Sequence, residues 1–275
     1  MLEAFELPFM QRALIAVLLL AIAGGLLGTW VVLRRLAFFS HAVGTATFPG
    51  LVVAAPWGLA APVAALGSAL LFTAGLTRLI RDPRLGPDGA TGLLVVAALA
   101  LGAVLASDVY PAGPGVDQLL FGTLLGLTDT DIWLAAGVAV GAAVLALALG
   151  RTWLATGFEP QTAATLGVSR ARGDWALLAG LAVAVVAMLP AVGALLAATL
   201  LVVPAATARL VARSVPHLLA GSVLLGAVEG VAALWIAYEI DLPPGPVLAL
   251  LSGVVFGLVA LGQTAAARRP AVTTP

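Results

Sequence analysis

Nine apolar runs divide this chain, at about 12–33, 41–56, 59–77, 90–107, 131–150, 173–190, 191–208, 217–238 and 246–265. Most are long enough, at about 1.5 Å per helical residue, to cross the roughly 30 Å hydrocarbon core of a bilayer. Only 9% of the residues are charged, against roughly a quarter in soluble domains. Val, Leu, Ala and Gly fill the runs, and no ten-residue alternation marks a barrel. The expectation is an all-α, polytopic bundle of transmembrane helices. Two runs are weak. The second contains Pro49-Gly50, and the sixth meets the seventh at Pro190 without a polar loop. Eight or nine spans are therefore expected, in one membrane domain over 1–275 with a disordered tail at 268–275. The first run follows Glu3 and Glu6, exceeds a signal h-region in length and ends in Arg34-Arg35, so it reads as a span rather than a cleavable signal.

Charge orients the bundle. If the first span runs from outside to inside, Arg12 is the only one of the 13 arginines left outside. The reverse orientation would leave only Arg12 inside, so the positive-inside rule favours the first. Glu3, Glu6, Asp108, Asp117, Asp129, Asp131, Glu239 and Asp241 then line the outer side. Either they draw cations inward or they merely avoid the arginine side. Between Asp108 and Asp131, the stretch Leu119 to Leu127 is too short to span and suggests an interfacial or re-entrant helix.

The longest polar interruption, Arg151 to Arg172, falls on the inner side. Glu159-Pro160 can open a short helix there, since Pro suits the first turn and an acid suits its positive end. Gly167 can close it. This stretch is either an ordinary connection or a handle by which a soluble partner grips the membrane domain.

Four residues are candidates for a substrate path. His41 and Thr45 stand four apart and share a helix face beside the Pro49-Gly50 break. Imidazole suits a divalent transition metal, although a His held between helices needs no metal. Glu229 is the acid deepest within a run, where a charge costs roughly 2.5–3.5 kcal/mol. It marks a path or a structural pair. Asp241 precedes Leu-Pro-Pro-Gly at the outer mouth and either collects cations or caps a turn. Pro49-Gly50 and Pro204 interrupt spans, and such breaks persist only where freed carbonyls find partners. Five GxxxG pairs begin at Gly24, Gly122, Gly137, Gly226 and Gly253; they suit close helix packing and name no function.

Other chemistry is excluded. The chain has no Lys, so an ordinary phosphate-binding loop cannot form and the chain does not hydrolyse ATP by itself. There is no Cys, which removes disulfides and thiolate metal sites. HExxH is absent, and two His are too few for most zinc hydrolase centres. Zero net charge gives no reason to expect a nucleic acid.

Several stretches, in order along nearly the whole chain, resemble the membrane permease subunits of bacterial ABC importers for zinc, manganese and iron. Leu33-Arg-Arg-Leu-Ala-Phe-Phe-Ser-His-Ala is similar to the family's Arg-Arg-Met-x-Phe-Phe-Gly-Asp stretch. Leu119-Leu-Phe-Gly-Thr resembles its outer Leu-Phe-Gly-Ser segment. Phe158-Glu-Pro-Gln-Thr-Ala-Ala-Thr-Leu-Gly is similar to its Phe-Asp-Pro-x-x-Ala-x-x-Leu-Gly stretch. Val203-Pro-Ala-Ala-Thr-Ala-Arg resembles its Ile-Pro-Ala-Ala-Thr-Ala-Arg block, and Asp241-Leu-Pro-Pro-Gly-Pro its Asp-x-Pro-x-Gly-Pro turn. One site departs: where the family has Asp and then His four residues later, this chain has His41 and Thr45.

The resemblance implies a non-enzymatic, homodimeric permease in the cytoplasmic membrane with its path at the dimer interface. It implies two copies of an ABC ATPase subunit, which use the ATP and grip Phe158, Glu159, Pro160, Leu166 and Gly167. It implies an extracytoplasmic metal-binding protein and a transported divalent ion, zinc or manganese, with no tightly bound cofactor. The alternatives are a stand-alone secondary transporter or channel, and an ABC permease for a non-metal solute.

Overall fold

Proline marks where the helices begin. A computed structural model describes residues 3–80, 86–109, 127–158, 170–193 and 197–267. Its helices are α1 (Pro8–Leu33), α2 (Ala37–Ala46), α3 (Phe48–Ala54), α4 (Ala61–Leu79), α5 (Pro87–Val104), α6 (Asp129–Phe158), α7 (Arg170–Val192), α8 (Ala197–Val211), α9 (Val215–Glu239) and α10 (Pro244–Ala267). Pro occupies the first turn of α1, α3, α4, α5 and α9, where its missing N–H is not needed and its fixed φ is already helical. Several helices end alike. Arg35, Gly58 and Asp241 take positive φ, and the next amide returns to the last turn, as in Leu36 N to Val31 O at 2.8 Å and Leu242 N to Ala237 O at 3.1 Å. This is the left-handed cap that satisfies orphan carbonyls. Ser214 caps the start of α9 and bonds the His217 ring at 2.6 Å, which gives the second His a structural task.

Among the described residues, eight helices are long and apolar enough to cross a membrane, with α2 and α3 counted as one, and α8 is a shorter apolar helix of 15 residues. The sixth and seventh apolar runs separate at Gly193, whose φ is 87°, and not at Pro190, which lies inside α7. Pro204 likewise lies inside α8 without ending it. The second span does break, but at Thr47, one turn before the expected point, with Pro49 opening α3. Its freed carbonyl is provided for: the Ser68 hydroxyl of α4 donates to Ala46 O. Gly50 allows this close approach, because a Cβ there would run into the backbone carbonyl of Ala64.

α1 is the central post. It packs on α6, α7, α8 and α9, and its small-residue face explains how. Gly25 lies against the backbone of Val223, and Gly24 and Gly28 lie against the carbonyls of Leu200 and Leu201. Without a hydrophobic drive between helices in lipid, such backbone approach supplies the van der Waals contact that holds them. Thr29 joins in, its hydroxyl 3.1 Å from that of Ser222. α5, α6 and α10 stand at the periphery with mostly exposed apolar faces.

The two ends of the bundle differ in chemistry. At one end Arg12 meets Asp129 at 3.2 Å and Phe9 lies against Tyr238. At the other, Arg34 meets Asp174 and Arg209 donates to Val32 O at 3.2 Å. The arginine-rich end is the inner one by the positive-inside rule.

Candidate functional site

His41 lies on α2, just over one turn from the inner-side turn that ends α1. Its side chain is exposed, while Thr45 is 7% exposed and donates its hydroxyl to the His41 carbonyl at 3.2 Å. The expected one-turn spacing holds. Thr45 nevertheless spends its donor on its own helix, and only the imidazole is presented outward.

Glu229 lies ten residues from the outer end of α9, or about 15 Å at 1.5 Å per residue, well within the bilayer. It is 2% exposed. The Ser252 hydroxyl of α10 donates to its Oε2 at 2.5 Å, and its Oε1 has no hydrogen-bond partner among the described residues. Neighbouring Gly226 and Gly230 face Ala21 and Val17 of α1. The carboxyl is therefore a tie between α9 and α10. α2 packs against α4, α5, α7 and α8 rather than against α9 or α10, so the fold does not bring His41 and Glu229 together. Ser252→Ala should lower stability by about 1–3 kcal/mol, the cost of leaving a buried polar group unbonded. The double variant Glu229→Met/Ser252→Ala should melt within about 1 kcal/mol of the parent, because both polar partners leave together. Thermal unfolding in detergent reads both.

Asp241 is exposed and carries the positive φ (52°) that ends α9. Asp tolerates this conformation better than most residues, so its demonstrable work is in the turn. Among the described residues, no three His, Asp or Glu side chains gather closely enough to hold a metal ion.

The inner polar stretch begins later than the apolar pattern suggests, because α6 continues helically through Arg151 to Phe158. Phe158 is its last residue and is 63% exposed. Glu159, Pro160, Leu166 and Gly167 lie outside the described residues, as do the 119–126 part of the outer segment and the tail 268–275. Both roots of the 159–169 stretch are held. Trp153 of α6 is 1% exposed; it donates its indole N–H to Gly173 O of α7 at 2.9 Å and meets Trp30 of α1 edge-on at 5.3 Å between centroids. Asp174 pairs with Arg34 at 2.5 Å. Of these five, Trp30, Trp153, Gly173 and Asp174 stand in no motif that marks the contacts. Arg34 stood out as a topological charge and within the Leu33-Arg-Arg stretch, but nothing local links it to Asp174.

The ABC 3 transport family matches residues 6–263. The chain is 28% identical to the manganese transport system membrane protein MntC of Halalkalibacterium halodurans, over 93% of this chain and 88% of that protein. It is 30% identical to the manganese import system permease protein ScaB of Streptococcus parasanguinis, over 91% and 89%. Its fold superposes on PsaBC from Streptococcus pneumoniae in complex with Fab, with a TM-score of 0.84 and 26% identity over 94% of this chain and 93% of that one. On a match running almost from end to end, in both sequence and fold, this chain belongs to the ABC 3 transport family.

Proposed function

We propose that the chain is the permease subunit of an ATP-binding cassette importer that moves a divalent transition metal, manganese before zinc, across the cytoplasmic membrane. The observation that carries this is the similarity, over nine-tenths of its length, to a manganese transport system membrane protein and a manganese import system permease protein. Two ATPase subunits would grip the 158–168 stretch, a binding protein would deliver the ion from outside, and two copies of the chain would enclose the path.

The geometry supports a mechanical route. A push on 159–169 reaches α6 and α7, whose inner ends are tied by Trp153 to Gly173 and by Asp174 to Arg34. Arg34 ends α1, and the turn after it leads into α2, which carries His41. Closure of the ATPases would thus tilt α1 and α2 together and shift access to the path from one side to the other. His41 is the proposed contact for the ion in transit, completed by water or by the second copy. Sparse ligation suits transport, since tight binding would stall release. Glu229 serves the path through its tie between α9 and α10.

The test is uptake of radioactive manganese into liposomes holding the permease with its ATPase and binding protein. Accumulation should need ATP and the ATPase. His41→Ala should lower its rate roughly tenfold or more, in line with the loss of a contact to a metal. Glu159→Lys should do the same by opposing charge at the ATPase contact, while both variants still insert and assemble. Unchanged uptake in His41→Ala would remove the ligand assignment. Glu229 favours a second reading, a proton-coupled carrier, because it is a buried acid at membrane depth. That reading requires uphill uptake by the chain alone, with no ATPase.

A further inference from the structure

Between α6 and α7 the described residues leave an apolar groove of about 580 Å³. That size is typical of sites for small ligands, roughly 300–1,000 Å³. Its walls include Trp133, Gly137, Gly141 and Leu145 of α6 and Gly180 and Val183 of α7. The glycines make the void. A Cβ added at Gly137 or Gly141 would meet nothing within 4 Å, so the space in front of these two stands open among the described residues. They form one of the GxxxG pairs in the sequence, and no helix among the described residues occupies it.

We propose that this groove holds one acyl chain of an outer-leaflet phospholipid with an ethanolamine headgroup. Three observations select that occupant. The first is depth. α6 lines the groove from Trp133 to Leu145, about 18 Å at 1.5 Å per residue, close to half of the roughly 30 Å hydrocarbon core. Below that level α6 is occupied, since Gly150 lies under the Trp30 ring and Trp153 is locked to α7. A membrane-spanning helix would need the full depth, whereas a lipid tail needs one leaflet. The second is Trp133, 77% exposed at the outer mouth, where indoles settle at headgroup level. The third is charge. One turn outward, Asp129 pairs with the half-exposed Arg12, the lone arginine of the outer side. Arg12 suits a lipid phosphate, and Asp129, itself largely exposed, suits an ammonium beside it. With Asp131 in the same first turn, the described side chains here are two acids to one base, which disfavours a purely anionic headgroup.

Native mass spectrometry of the delipidated protein, titrated with phosphatidylethanolamine or phosphatidylglycerol, tests this. The parent should hold one phosphatidylethanolamine per chain in preference to phosphatidylglycerol. Gly141→Leu starts its side chain in open space, fills part of the channel and should weaken that binding roughly tenfold, a change of about 1.4 kcal/mol. Gly253→Leu, in equally open surroundings on α10, should leave it unchanged. Arg12→Gln should erase the headgroup preference. Parental lipid binding by Gly141→Leu would overturn the proposal, as would equal binding of the two lipids. A change in the number of chains per particle on Gly141→Leu would also overturn it and assign the groove to a protein helix.

Discussion

Replacing Gly28 with alanine should leave little folded protein, although the change adds a single methyl group. Gly28 lies where α1 crosses α8, and its missing side chain is filled by the carbonyl oxygen of Leu201. A Cβ there would overlap that oxygen deeply. The obstacle is backbone inside a helix, so no rotamer change relieves it, and α8 must back away from α1. α1 also packs on α6, α7 and α9, so retreat at one seam disturbs the others. Overpacking of well-filled cores costs typically 1–3 kcal/mol, and this site belongs at about 3 kcal/mol or above because nothing local yields. The control is Gly253→Ala, where the added carbon meets open space. It should be neutral or stabilise by about 0.4–1 kcal/mol through the less flexible unfolded chain. Melting curves and monodisperse yield of the two variants in one detergent compare them directly. Equal melting would show that the helix seam is looser than the structure indicates.

The second large effect is expected at Arg34 and Asp174. Asp174→Asn should destabilise the inner end by about 2–3 kcal/mol, less than the 3–5 kcal/mol of a fully buried broken pair. The discount reflects exposure, since 33% of the Asp174 side chain reaches solvent while Arg34 is 9% exposed. Function should suffer more than stability. With the tie gone, a push on 159–169 would move α7 without carrying the α1–α2 turn. ATP hydrolysis by the assembled transporter should then continue while metal uptake falls by roughly tenfold or more. The exchange Arg34→Asp/Asp174→Arg should restore part of the uptake. A parallel loss of both activities would point to plain instability, and undiminished uptake would remove the tie from the mechanism.

Much of the architecture was readable from one dimension. Apolar runs of bilayer length have few ways to bury their backbone polar groups in lipid, so they become helices. Thirteen arginines, all but Arg12 falling on one side, orient them. The Pro49-Gly50 break was placed within a turn of where it lies, because Pro suits a first helical turn and fits poorly within one. Glu229 stood out because an acid at that depth is costly wherever it points.

Other features are contacts between residues distant in sequence. Ser252 is 23 positions from Glu229, and no local pattern joins them. Thr45 was grouped with His41 by spacing, yet burial separates their roles. The GxxxG pairs make the clearest case. Gly24/Gly28 and Gly226/Gly230 are pressed between helices, while Gly137/Gly141 and Gly253/Gly257 face open space. The motif is the same in all four. Sequence alone therefore determined which segments are long and apolar enough to enter the bilayer, because that depends on each segment's own free energy of transfer into lipid. Which glycine is a seam and which a groove, and which arginine holds a partner, was decided only by the tertiary structure, because packing depends on what the neighbouring helix places there.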